Sequence, residues 1–196
     1  MTQQVEIEFK NLLTRMEYER FLNEFNIDKK QIFTQENHYF DTYDFALKNL
    51  GTALRIRRKQ DDYEMTLKQP AAVGLLETNQ LITSEEALHA FKVGGLPSGN
   101  IKKIIEEIGI PFSELKYFGS LQTNRVEIEY TKGLLVLDHS QYLNKEDYEL
   151  EFEAENFQEG KLIFLQLLDR YHIPMRKTEN KIQRFYKQKY ANHEQI

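Results

Sequence analysis

Apolar and charged residues alternate with a period of two in one segment of this chain after another, the signature of strands with two unlike faces. In VEIEFK (5–10), Val5, Ile7 and Phe9 fall on one face and Glu6, Glu8 and Lys10 on the other. ALRIRR sets Arg55 and Arg57 against Leu54 and Ile56, and YEMTLK sets Glu64, Thr66 and Lys68 against Met65 and Leu67. NRVEIEY sets Arg125, Glu127 and Glu129 against Val126, Ile128 and Tyr130, while LLVLDH brings Asp138 into register with Leu134 and Val136. YELEFE sets Glu149, Glu151 and Glu153 against Tyr148, Leu150 and Phe152. With NHYFDT and LLETNQLI the pattern predicts roughly eight strands, most joined by the short connections of antiparallel sheets.

Helical periodicity predicts five helices, over Thr14–Phe25, Ser84–Phe91, Asn100–Ile108, Glu159–Tyr171 and Glu179–Tyr190. VGGLPSGN (93–100) reads as a turn between two short helices, and Asp41 in HYFDT, on the same face as Tyr39, as the start of a turn. Two α+β architectures suit this inventory. In one, a sheet rests its apolar face on the helices and wets its charged face. In the other, the sheet closes into an eight-stranded antiparallel barrel, which removes its edges and turns the charged face into a lumen. The compact blocks of both signs, rich in arginine and lysine, favour the barrel. Its apolar outer face then needs a jacket of helices, and LIFLQLL (162–168) is too apolar to stand in water alone.

The 196 residues suit one domain, expected over 1–190 with a short tail at 191–196. Hydrophobic residues at 40% and charged ones at 29% describe a globular chain, with no apolar run long enough for a bilayer and no signal-peptide layout at the N-terminus. Zero cysteines exclude disulfides and thiolate metal sites, and a cytoplasmic location is expected. The net charge of −5 argues against nucleic-acid or membrane partners, although LRIRRK (54–59) and the stretch from Arg176 to Lys189 concentrate positive charge. A homodimer is compatible with the sequence.

If the charged face is internal, Lys10, Arg55, Arg57, Lys68 and Arg125 form a ring of fixed cations suited to phosphate oxygens. Glu6, Glu8, Asp138, Glu149 and Glu151 would crowd one another unless a cation intervenes, and a hard divalent metal is the natural one. Cations for a polyanion and acids for its metal make a phosphoryl-transfer site. The five histidines lack zinc-site spacing, and neither a P-loop nor a GxGxxG turn is present.

The motif ExExK, Glu6-Ile7-Glu8-Phe9-Lys10, resembles the hallmark of the CYTH domain, or triphosphate tunnel metalloenzymes, a family of class IV adenylyl cyclases and of thiamine, inorganic and RNA triphosphatases. LRIR (54–57), TLK (66–68), Arg125, LD (137–138), ELE (149–151) and ENKIQRFYK (179–187) follow in family order, so the likeness runs from residue 5 to about 190 and is nearest to short single-domain bacterial members. The resemblance implies an eight-stranded tunnel for a triphosphate with one or two Mg2+ or Mn2+ ions. It implies metal ligands at Glu6, Glu8, Glu149 and Glu151 with Asp138 nearby, and phosphate contacts from Lys10, Arg55, Arg57, Lys68 and Arg125. It also implies substrate-binding bases at Lys181 and Arg184, on a C-terminal helix that caps the tunnel, and catalytic roles for Glu6, Glu8 and Lys10.

Glu153 continues the inward parity past the ELE pair and is expected at the rim. Glu127 and Glu129 either join the site or neutralise Arg125, and Glu77 suits the lumen or the rim equally. The expected activity is metal-dependent hydrolysis of the terminal phosphoanhydride of a triphosphate, inorganic triphosphate first. The alternatives are a class IV-type adenylyl cyclase making cyclic AMP and pyrophosphate, and a non-catalytic polyphosphate- or nucleotide-binding module.

Overall fold

The alternating segments form strands with the parity the sequence predicts, and most of them lay their apolar residues against helices. The computed structural model describes residues 2–191, so the part of the expected tail beyond residue 191 lies outside the described residues. The strands are β1 (Thr2–Leu13), β2 (Phe33–Asp41), β3 (Ala53–Lys59), β4 (Asp62–Pro70), β5 (Leu75–Ile82), β6 (Lys116–Tyr130), β7 (Gly133–Tyr142) and β8 (Lys145–Ala154). They hydrogen-bond in the order β1-β5-β4-β3-β2-β6-β7-β8 and close into an antiparallel barrel. Closure is what separates the two architectures open to the sequence, because it makes the charged face internal.

The expected helices appear as α1 (Arg15–Glu24), α3 (Ser84–Val93), α4 (Asn100–Glu107), α5 (Phe157–Arg170) and α6 (Lys181–Ala191). A capping box starts α1: the Thr14 hydroxyl accepts from Glu17 N–H, and the Glu17 carboxylate accepts from Thr14 N–H. The same device at Thr83 and Glu86 starts α3, so the cap is Thr83 and Ser84 is already helical. The pattern gave no sign of the one-turn helix α2 (Ala46–Asn49). It exists because the buried Asp41 carboxylate accepts backbone N–H groups of Thr42, Leu47 and Lys48, which makes Asp41 the turn-starter it resembles. Among the described residues no helix is long and apolar enough to cross a membrane.

Two compact units divide the chain. In the unit containing Gln35–Leu121, Phe40, Leu54, Ile56, Met65 and Leu67 of β2–β4 are fully buried against Ala87 and Ala90 of α3 and Ile101 and Ile105 of α4. In the unit containing Glu6–Thr34 and Gln122 onward, Val126, Leu135, Leu137, Leu150 and Phe152 of β6–β8 pack on Phe21 of α1 and Phe164, Leu167 and Leu168 of α5. Ile56 and Phe152 are thus covered as expected. Ile7 is only half-buried and Val5 is 57% exposed, because α5 meets β1 at Phe9, whose ring lies 5.3 Å from that of Phe157.

That helix–strand contact depends on a glycine. A Cβ at Gly160 of α5 would stand 2.5 Å from the Ala154 Cβ and 2.8 Å from Phe9 Cε2. Gly160→Ala should gain about 1 kcal/mol of helix propensity. Overpacking costs roughly 1–3 kcal/mol and Ala154 is held by the β8 backbone, so the net effect should be a loss of stability. Urea unfolding of the two proteins checks the sign.

Candidate functional site

Cross-strand register builds a basic cluster on β2–β5. Asn37 of β2 lies opposite Arg57 of β3, Tyr39 opposite Arg55, and Lys68 of β4 opposite Glu77 of β5. Arg57 Nε donates to Asn37 Oδ1 at 3.0 Å, which fixes the plane of the guanidinium. Glu77 Oε1 stands 2.5 Å from Lys68 Nζ and 3.7 Å from Arg55 Nη2, with its side chain only 8% exposed. Burial alone would push the Glu77 carboxyl up, but Lys68 and Arg55 outweigh it and bring the pKa down to about 2. Its charge therefore persists throughout the neutral range and holds two of the cations in place.

On β1, β6, β7 and β8 the register makes rows of the opposite balance. Arg125 faces Asp138, which faces Glu149, and in the neighbouring row Glu151 faces Lys10. Arg125 grips Asp138 with two hydrogen bonds of 2.8 and 2.6 Å and reaches Glu151 at 2.9 Å. From α6, Lys181 Nζ lies 2.9 Å from Asp138 and 3.4 Å from Glu149, and it also pairs with Glu151. Arg184 pairs with Asp147 and with Glu149. Lys10 pairs with Glu8.

Burial opposes the charges of Asp138, Glu149 and Glu151, and the neighbours decide which survive. Asp138 and Glu151 are pulled below the usual carboxylate range by Arg125 and Lys181. Glu149 is pushed the other way by burial, despite Lys181, and its Oε1 atom is buried with no hydrogen-bond partner. Of the ELE pair, Glu149 is the one that takes up a proton first.

Glu6, Glu8 and Glu153 bring one carboxylate oxygen each to within 4.8 Å of one another. Burial, then the neighbouring Glu6 charge, pushes the Glu153 carboxyl up to about 7. Three crowded, half-buried carboxylates are a hard-oxygen donor set that a divalent cation would relieve, so the residues fit the metal that the sequence implies.

The structure therefore brings the sequence-derived residues together in distinct ways. Glu6 and Glu8 form the crowded trio with Glu153, the residue expected at the rim. Asp138, Glu149 and Glu151 are engaged by Arg125, Lys181 and Arg184. Glu77 joins the basic cluster, whereas Glu127 and Glu129 are exposed. Two polar partners were missed, Asn37 and Asp147. Their parity could have found them, since Asn37 shares a face with Tyr39 and Asp147 with Glu149.

The Glu77 charge sets an acid limit. Its folded pKa of about 2 lies below the ordinary 4.5, so its contribution to stability is present above pH 4.5 and fades as pH falls toward 2. That contribution is on the order of 3 kcal/mol for a shift of this size. Glu77→Gln should destabilise the protein near neutrality, and the difference from wild type should shrink steadily below pH 4.5. Denaturant melts across that range measure it; a constant difference would mean that the carboxylate charge is not what Glu77 contributes.

Comparison with known proteins agrees with this geometry. The CYTH domain pattern matches residues 4–186. A Bacillus subtilis (strain 168) protein named "Putative triphosphatase YjbK" is 51% identical over 189 residues, 96% of this chain and 98% of that protein. A solved Bacillus halodurans structure, described as a "putative adenylate cyclase", is 43% identical, covers 95% of this chain and 100% of its own, and has a TM-score of 0.92. HpAC1 of Hippeastrum, described as a "putative adenylyl cyclase" with a dominant triphosphatase activity, shares the fold at 22% identity, covering 93% and 95% of the two chains with a TM-score of 0.76. That pattern spans the ExExK, LRIR, TLK and ELE strands of the barrel, and the chain belongs to the CYTH domain family.

Proposed function

We propose that this protein is a divalent-metal-dependent triphosphatase that hydrolyses the terminal phosphoanhydride of a triphosphate, with inorganic triphosphate as the leading substrate. The observation that carries the reading is the sorting of charge on the inner face of the barrel. Arg55 and Lys68 close on Glu77 beside Arg57, which Asn37 orients, while Glu6, Glu8 and Glu153 crowd together. The first group gathers the donors that suit phosphate oxygens, and the second the hard oxygens that suit a divalent cation. The 51% identity to a protein named a triphosphatase supports the same reading.

Arg55, Arg57 and Lys68 bind and orient phosphoryl oxygens, and Arg57 does so with its plane set by Asn37. Glu6, Glu8 and Glu153 would hold the metal, Mg2+ or Mn2+, with Glu149 Oε1 as a further acceptor. When bound, the metal supplies Lewis acidity toward phosphoryl oxygens and an acidified water. Water adds to the terminal phosphorus and the bridging P–O bond breaks, giving orthophosphate and, from inorganic triphosphate, pyrophosphate. Negative charge grows on the leaving diphosphate, where fixed cations stabilise it without reorganising. The partner is a small triphosphate, with no nucleic acid or membrane. The absence of cysteine supports a cytoplasmic setting.

A second reading, adenylyl cyclase, is favoured by one observation, the description of the 43%-identical Bacillus halodurans protein. Product analysis separates them. Orthophosphate released from inorganic triphosphate, ATP, GTP or thiamine triphosphate with Mg2+ or Mn2+ supports hydrolysis. Cyclic AMP with pyrophosphate from ATP would replace it with cyclisation, and binding without turnover would leave only a sensor.

Two variants test the roles. Arg57→Ala should cost roughly a hundredfold in kcat/KM, the scale of losing one preorganised charged donor, with little loss of stability. Arg125→Ala is a poor substitute, because it strands Asp138 and Glu151 in the interior. Glu153→Gln should raise the melting temperature of the metal-free protein and shrink the upward shift that Mg2+ or Mn2+ produces. An undiminished metal shift in this variant would remove Glu153 from the ligand set.

A further inference from the structure

Helix α6 meets strand β8 through a side chain whose charge alone suggests a substrate contact. Arg184 Nε donates to Asp147 Oδ2 at 3.0 Å and Nη2 to Asp147 Oδ1 at 3.2 Å. Nη2 also donates to Glu149 Oε2, and Nη1 to the backbone carbonyl of Glu179. The guanidinium is 8% exposed, and all three of its nitrogens are occupied by protein acceptors. The Tyr142 hydroxyl also donates to Asp147 Oδ2, at 2.7 Å. The planar fork of arginine fixes direction as well as charge, which a lysine could not do here.

Lys181 lies three residues before Arg184, on the same helix face, and shares Glu149 Oε2 with it. Its ammonium reaches on to Asp138 at 2.9 Å and to Glu151. A flexible four-carbon stem does not aim itself, so something must hold the first turns of α6 against β8.

We propose that Arg184 is a positioning residue and not a substrate ligand: latched to Asp147, it fixes α6 on β8 so that Lys181 keeps its ammonium among Asp138, Glu149 and Glu151. Asp147 and Tyr142 thereby acquire a role in the site without touching its chemistry. The proposal rests on the triphosphatase reading only for its kinetic readout.

The test labels lysines with an amine-acetylating reagent and follows Lys181 by peptide mass spectrometry in wild type, Arg184→Gln, Asp147→Asn and the double variant. Lys181 should be protected in wild type and label about tenfold faster or more in either single variant, the scale of losing a charge-assisted hydrogen bond. Exposed Lys103 should keep its rate as the internal control. The double variant should label no faster than Arg184→Gln, because both changes open one latch. Tyr142→Phe, which removes one hydrogen bond and no charge, should move Lys181 in the same direction by less, and it carries the test if the stronger variants do not fold. Kinetically, Asp147→Asn should lower kcat for inorganic triphosphate with KM nearly unchanged. Unchanged Lys181 labelling in Asp147→Asn and Tyr142→Phe would overturn the latch, as would a KM increase confined to Arg184→Gln. Labelling needs no turnover, so a protein inactive on every triphosphate would defeat the functional reading and still decide this one.

Discussion

Closure of the sheet places its charged face where water cannot fully screen it, and the rest of the structure follows from that constraint. A carboxylate taken out of water costs several kcal/mol unless a cation or hydrogen-bond donors replace the solvent. The barrel meets the cost by register. Antiparallel pairing sets Arg125 against Asp138, Lys10 against Glu151 and Lys68 against Glu77, so opposite charges arrive as neighbours when the strands pair. A one-residue slip in any of these ladders would turn the cations into the apolar layer and bring leucines inward, which makes the register strongly specified.

Charge is sorted unevenly along that face, and the proposed function draws on this sorting. Asp138 and Glu151 have Arg125 and Lys181 as close partners, so they are charged and fixed. Glu6, Glu8 and Glu153 face one another with Lys10 engaged by Glu8, and the repulsion shows in the raised carboxyl of Glu153. On β2–β5 the balance favours cations, with Arg55 and Lys68 closing on Glu77 beside Arg57. Local imbalance of either sign in a low-dielectric interior is stored binding energy for a ligand of the opposite sign. A polyphosphate and its metal are such a pair of ligands.

The outer layer does different work. Its helices bury the apolar faces of the strands, and their tolerances are steric, as at Gly160 against Ala154. Helix α6 is the exception, since it spends Lys181 and Arg184 on the charged interior and Phe185 on apolar burial. It thus links the jacket to the site, and through Asp147 it draws the β7–β8 end of the sheet into the same network.

Local patterns by themselves determined the strands, the charges that share a strand face and the five longer helices, because side-chain parity and helical spacing are local properties of the backbone. The order of ExExK, LRIR, TLK and ELE also carried the family. Tertiary structure alone decided how those charges divide. Glu149 and Glu151 are two residues apart on one strand and look alike in sequence, yet Lys181 and Arg125 hold Glu151 charged while burial raises Glu149. Glu153 looked like a rim residue and joins Glu6 and Glu8; Arg184 looked like a phosphate ligand and is held by Asp147 and Glu149. The physical reason is that a charge's role depends on its distance to partners on other strands, and those distances exist only once register and closure are set.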